Sequence, residues 1–265
     1  MDLKVKRQII AVVLLFIGLM TACNKDGGEQ TLPGKLTLHF EHRLDGAPVV
    51  FDQMIYKNQA ENQYLVNEIQ YFISDVTLHR SDGTSLVLDA WEDIHYIDSD
   101  LENTRTYALS DDIVPGTYES ITFTFGINAE KNKSLMFVNP PESLMFWPEL
   151  LGGGYHYMKL NGKWLDTLGQ VSPFNFHLGI GQIYISYPNI IDHYVQNYFT
   201  VDPGCGDLTI TAGETREITL VMNVENWFQS PNIYNHDDWG GDIMQNQEAM
   251  HLACENGRDV FSCEK

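Results

Sequence analysis

Apolar and polar side chains alternate through residues 35–42 (KLTLHFEH), and a two-residue period marks a strand with one buried face. The same reading applies to residues 64–80, around VNEIQYFISDVTLHR, to residues 85–88 and to residues 93–98 (DIHYID). It recurs in residues 120–126 (SITFTFG), 183–188 (IYISYP), 207–211 and 216–224 (REITLVMNV). Turn signals punctuate these runs: Asp45-Gly46 within residues 43–48, Ser81-Asp82-Gly83, and the tight connection at residues 113–118 (IVPGTY). Turns that recur about every ten residues, with few long stretches of helical period, predict an all-β fold, an antiparallel β-sandwich. Two segments depart from that pattern. A short helix is expected around Tyr194, and a C-terminal one over residues 241–256. In the latter, Met244, Ala249, Leu252 and Ala253 recur at roughly helical spacing, with Asp242 placed to cap the start and Gly257 to end it. No internal repeat or low-complexity tract is present, so one folded domain is expected over residues 36–265.

The first 22 residues read as an export signal. Lys4, Lys6 and Arg7 form a positive leader, and residues 9–20 are an apolar run too short to span a bilayer. Leu19-Met20-Thr21-Ala22-Cys23 resembles a bacterial lipobox, in which the cysteine is diacylated and becomes the first residue. Residues 23–35 then read as lipidated Cys23 and a flexible tether (NKDGGEQTLPGK after the cysteine), which places the domain beside the membrane. The expected location is the bacterial cell envelope, on its periplasmic or outer-surface side. Loss of three basic residues and one acidic residue with the signal takes the formal charge from −20 to −22. Such a surface repels nucleic-acid phosphates and anionic lipid, so no nucleic-acid partner is expected. Cys205, Cys254 and Cys263 remain besides Cys23. Export favours one disulfide, either Cys254–Cys263 or one of these two with Cys205.

Residues 145–177 concentrate the chemistry. They hold Trp147 and Trp164, His156 and His177, Met145 and Met158, and the aromatics Phe146, Tyr155, Tyr157, Phe174 and Phe176. Pro148 biases Trp147 towards an extended backbone, and Gly152-Gly153-Gly154 permits a sharp reversal. Residues 155–160 read as a strand with residues 159–162 as its turn, and residues 174–178 as a second strand.

Several phrases, in order, resemble the MbnP-like lipoproteins and copper-associated exported proteins. They are NEIQYFISD (residues 67–75), VPGTYESITFTFG (114–126), Met145-Phe146-Trp147, Gly154-Tyr155 with Lys159-Leu160-Asn161-Gly162, FNFHLG (174–179) and the tail over residues 242–261. The resemblance implies a β-sandwich. It also implies a partner of the di-haem cytochrome c peroxidase type that oxidises a Trp to kynurenine, and copper held by His together with that modified residue. The protein would carry no haem of its own. Carried over by position, Trp147 is the oxidisable Trp and His177 a ligand. His156, His39 and His42 are further metal candidates, the last two because the strand at residues 120–126 carries no histidine. Copper(I) accepts neutral imidazoles, and thioethers such as Met145 or Met158 can complete its shell. The loop His236-Asp237-Asp238 gathers oxygen ligands of the kind calcium takes, although an acidic loop of this composition is ordinarily solvated. No nucleophile elbow, His-Glu-x-x-His, phosphate loop or dinucleotide fingerprint occurs, so catalysis of its own is not expected. The competing reading is a metal-free envelope module that binds a protein or a glycan through its aromatics.

Overall fold

The computed structural model describes residues 32–90 and 93–265. The expected signal peptide, Cys23 and residues 24–31 of the tether lie outside the described residues.

Strand β1 (Lys35–Leu44) buries Leu36, Leu38, Phe40, His42 and Leu44, the even positions that its alternation singled out. It reverses at Asp45 and Gly46, whose φ values of 53° and 78° are what a two-residue hairpin turn requires. Strand β2 (Gln63–His79) is the spine of the larger sheet. Beside it run β3 (Ser120–Phe125), β4 (Met158–Leu165) and β5 (Val171–Leu178), in the order β5–β4–β2–β3, with Phe199–Val201 at the far edge. Strands β6 (Gly181–Ser186) and β7 (Ile190–Val195) form a separate hairpin. The smaller sheet contains β1, β8 (Thr215–Asn223) and β9 (Phe261–Glu264) in the order β9–β8–β1. β1 and β8 run parallel, from Lys35 opposite Thr215 to Arg43 opposite Asn223. Every other strand pair among the described residues is antiparallel.

The sheets meet through aromatic packing, as the predicted sandwich requires. Phe40 of β1 meets Tyr71 of β2 edge-on at 6.5 Å, and Phe261 of β9 packs on Tyr71, Phe123 and Phe125. Cys205 and Cys263 form the disulfide, which ties β9 to the loop before residue 208. Cys254 is a free thiol that donates to the Asn197 carbonyl, and burial raises its pKa to about 12.

Three local expectations are corrected. Tyr194 lies on β7, not in a helix. The C-terminal helix α1 (Gln247–Gly257) starts later than expected. Asn246 caps it by accepting from the Ala249 amide, whereas Asp242 accepts from the amide of Met244. Residues 159–162 do not turn, because β4 continues through them with an irregularity against β2 between Asn161 and Gly162. The reversal comes at residues 166–170, closed by the bond from the Asp166 amide to the Gln170 carbonyl.

Strand alternation assigns the faces of the larger sheet. Ile69 and Tyr71 point to the inter-sheet core, and with them go their partners Leu160 and Met158. Glu68, Gln70 and Phe72 therefore lie on the outer face, and register carries this row to Asn161 and Lys159 on β4 and to His177 on β5. The connection over residues 126–157 covers this face, with Phe137 stacked on Phe72.

Candidate functional site

The covering connection folds back on itself at the three glycines. Gly152, Gly153 and Gly154 have φ values of 117°, 70° and 78°, a run that side chains disfavour. The reversal pairs the two motif phrases on either side of it. The Trp147 amide donates to the Gly154 carbonyl at 2.8 Å, and the His156 amide to the Met145 carbonyl at 2.6 Å. Asn132 and Ser134 fasten the far arm by accepting from the amides of Tyr155 and Gly154.

This lasso sets the Trp147 indole on the backbone of Gly179. A Cβ at Gly179 would lie 2.6–2.8 Å from three indole carbons, so only glycine admits the ring there. The indole is fully buried, and its Nε1 donates to the Leu151 carbonyl at 3.1 Å. Its edge meets the His156 ring at 4.6 Å between centroids, and His156 meets His177 at 5.1 Å with the rings nearly perpendicular. Trp147, His156 and His177 thus form one row on the outer face of the larger sheet.

Hydrogen bonds define each imidazole. His156 Nδ1 lies 2.9 Å from the Met145 carbonyl, which only accepts, so Nδ1 carries the proton and Nε2 the lone pair. His177 Nε2 lies 2.8 Å from Asn161 Oδ1. Asn161 donates its amide to Glu68 Oε2 at 2.8 Å, which orients Oδ1 as the acceptor and leaves the lone pair on His177 Nδ1. Burial pushes the His156 pKa down to about 3, with further lowering from His177 and Lys159. Burial and then Lys159 push His177 down to about 4. Both rings are neutral at pH 7, the form that binds a metal. Lys159 donates to the Leu144 carbonyl at 2.7 Å, and burial lowers its own pKa.

The other candidates lie elsewhere. His39, on the smaller sheet, contacts Thr106 and Glu217. His42 faces Tyr71 between the sheets, 5.7 Å away, with its pKa lowered to about 4 by burial. Neither joins His177. Met158 belongs to the core face of β4, which removes it from the same shell, whereas Met145 is buried in the lasso beside His156. Among the described residues, no group of three or more His, Cys, Asp or Glu side chains is placed to hold a metal.

The expected acidic loop instead contains a one-turn helix, His236–Trp239, capped by Asn235, and it is not solvated throughout. His236 is fully buried between Trp164 and Phe174, and Asp237 accepts from Trp164 Nε1 and Asn62 Nδ2. Sequence reasoning missed Glu68, Lys159 and Asn161 as neighbours of His177. Continuing the two-residue period of β4 past residue 160 would have placed Lys159 and Asn161 on that face.

Comparisons with known proteins bear on the family. The sequence model of the MbnP family matches residues 33–248. Among solved structures, MbnP from Methylosinus trichosporium is similar at 14% identity and a TM-score of 0.49, over 77% of this chain and 80% of that one. No curated protein matches the sequence. With most of its length matched by that family model, the chain belongs to the MbnP family.

Proposed function

We propose that this protein is a lipid-anchored envelope member of the family that binds copper through His156 and His177, with Trp147 as the oxidisable residue beside them. The observation that carries the reading is the paired tautomers. Each imidazole commits its N–H to a fixed acceptor and keeps one lone pair, and both rings stay neutral at physiological pH. Soft copper(I) suits such a donor set, and the acceptors Met145 O and Asn161 Oδ1 supply the orienting contacts that metal-bound imidazoles use. The bound ion would supply redox chemistry or a delivery cargo. The chain's own residues hold the two rings, exclude water with Trp147 and Gly179, and keep Lys159 turned to the Leu144 carbonyl.

A di-haem peroxidase-type partner is the proposed oxidant of Trp147. Because the indole is fully buried, its electrons would leave through intervening protein, and Phe146, next to it in sequence, is 37% exposed. Copper(I) titration of the metal-free protein tests the core of the proposal. The parent should bind one equivalent, and His156→Ala and His177→Ala should each weaken binding at least tenfold. Equal binding by the parent and the double variant would contradict it.

A further inference from the structure

A cavity of about 520 Å³ lies between the β6–β7 hairpin and the turn that leads into α1. We propose that this cleft binds a neutral oligosaccharide.

Tyr184 and Tyr187 form one wall, edge to face at 5.1 Å, and Tyr187 is 66% exposed. An aromatic ring held in solvent presents its electron-rich face to partly positive hydrogens, which the C–H face of a sugar ring supplies. The opposite wall is amide and carboxylate: Asp242, Gln245 and Asn246. The two amides donate and accept in a plane and the carboxylate accepts, which matches neighbouring sugar hydroxyls.

Gln182 lines the same cavity and is only 2% exposed. Its Nε2 donates to the Leu151 and Ile180 carbonyls, but its Oε1 has no partner among the described residues. A buried acceptor left open is destabilising, and a small rotation of the Gln182 side chain would offer it to a ligand hydroxyl.

The ligand's class follows from charge and extent. Asp242 is the one carboxylate in the lining, and no Lys, Arg or His accompanies it. With a net charge of −20, the protein repels uronates and sugar phosphates. Gln245 also lines a neighbouring cavity of about 660 Å³ that runs past Tyr194 and Leu150. A chain of several sugars would pass Gln245, which Tyr184 Oη holds at 3.0 Å.

Native electrophoresis of the purified full chain through gels containing soluble polysaccharides tests the proposal. The neutral set is starch, xyloglucan, mixed-linkage β-glucan, galactomannan and arabinoxylan; alginate and pectin are the acidic set. At least one neutral polymer should retard the parent. Tyr187→Ala should weaken that retention roughly tenfold while keeping the parent's melting temperature, as its exposure allows. Asp242→Asn should weaken it as well, and His177→Ala should leave it unchanged, which separates this site from the copper proposal. Unretarded migration in every neutral gel, retention by acidic polymers alone, or retention indifferent to both cleft variants would overturn it.

Discussion

Alanine at Gly179 would drive a methyl group into the indole of Trp147. The added carbon would stand 2.6 Å from Cε3, 2.7 Å from Cζ3 and 2.8 Å from Cδ2, against 3.4 Å or more for ordinary contact. The ring would have to retreat by about 0.8 Å, yet it is fully buried and tied at Nε1 to the Leu151 carbonyl. No left-handed backbone angle is recorded at Gly179, so the cost is steric rather than conformational. Forced overpacking of this kind costs about 1–3 kcal/mol. In a domain of this size that lowers Tm by roughly 2–12 °C. Urea and thermal unfolding of Gly179→Ala measure it. Repeating the substitution in a Trp147→Leu background assigns the cause, since a smaller, flexible side chain can yield. The two changes should couple by about 1–2 kcal/mol. A Gly179→Ala protein as stable as the parent, or the same loss in both backgrounds, would refute the idea that glycine is there to seat the indole.

Other consequences are open to measurement. Burial depresses the folded pKa of His42, His156 and His236 to between about 3 and about 4, so their protonation favours the unfolded chain. Stability should therefore be full above pH 6.5 and fall as pH drops towards 4, by about 2 kcal/mol per ring at pH 5. Urea midpoints that do not change between pH 7 and pH 5 would be incompatible with that. His236 has no partner for either ring nitrogen among the described residues and sits among five aromatic rings, so His236→Phe should be neutral or stabilising and should flatten the acid loss. A loss above about 1 kcal/mol on urea unfolding would show a hidden partner. Asn161→Leu frees the His177 ring from its acceptor and should cost copper affinity about 10–100-fold with little change in fold. Unchanged affinity would remove Asn161 from the account. Replacing Cys205 and Cys263 with serine, across a separation of 58 residues, should lower unfolding free energy by about 2–4 kcal/mol, and an unaffected urea midpoint would contradict this.

What was legible in the sequence was local. The alternation of β1, the Asp45-Gly46 turn and the glycine reversal at residues 152–154 each follow from backbone constraints on a few neighbouring residues. The sequence ends β4 early because Asn161-Gly162 looks like a turn. In the fold Gly162 keeps the strand going by leaving room for the Leu65 carbonyl and the Phe174 ring, a demand that comes from neighbouring strands. Asp242 and Asn246 are both good helix caps, and tertiary placement chose the second. Within the site, Trp147 and His177 were recognised separately. What joins them is His156, a residue without family warrant, because the lasso folds its two arms together through bonds to Asn132 and Ser134 and through the packing of Trp147 on Gly179. The Cys205–Cys263 bridge likewise depends on where β9 docks.

The central claim is that the imidazoles of His156 and His177 hold the same copper ion. X-ray absorption at the copper edge of the copper(I)-loaded protein reads the shell directly. Two imidazole scatterers in the parent, reduced to one in His177→Ala and in His156→Ala, are the predicted result. A shell with no imidazole, or one that keeps both imidazoles when either histidine is replaced, would contradict it.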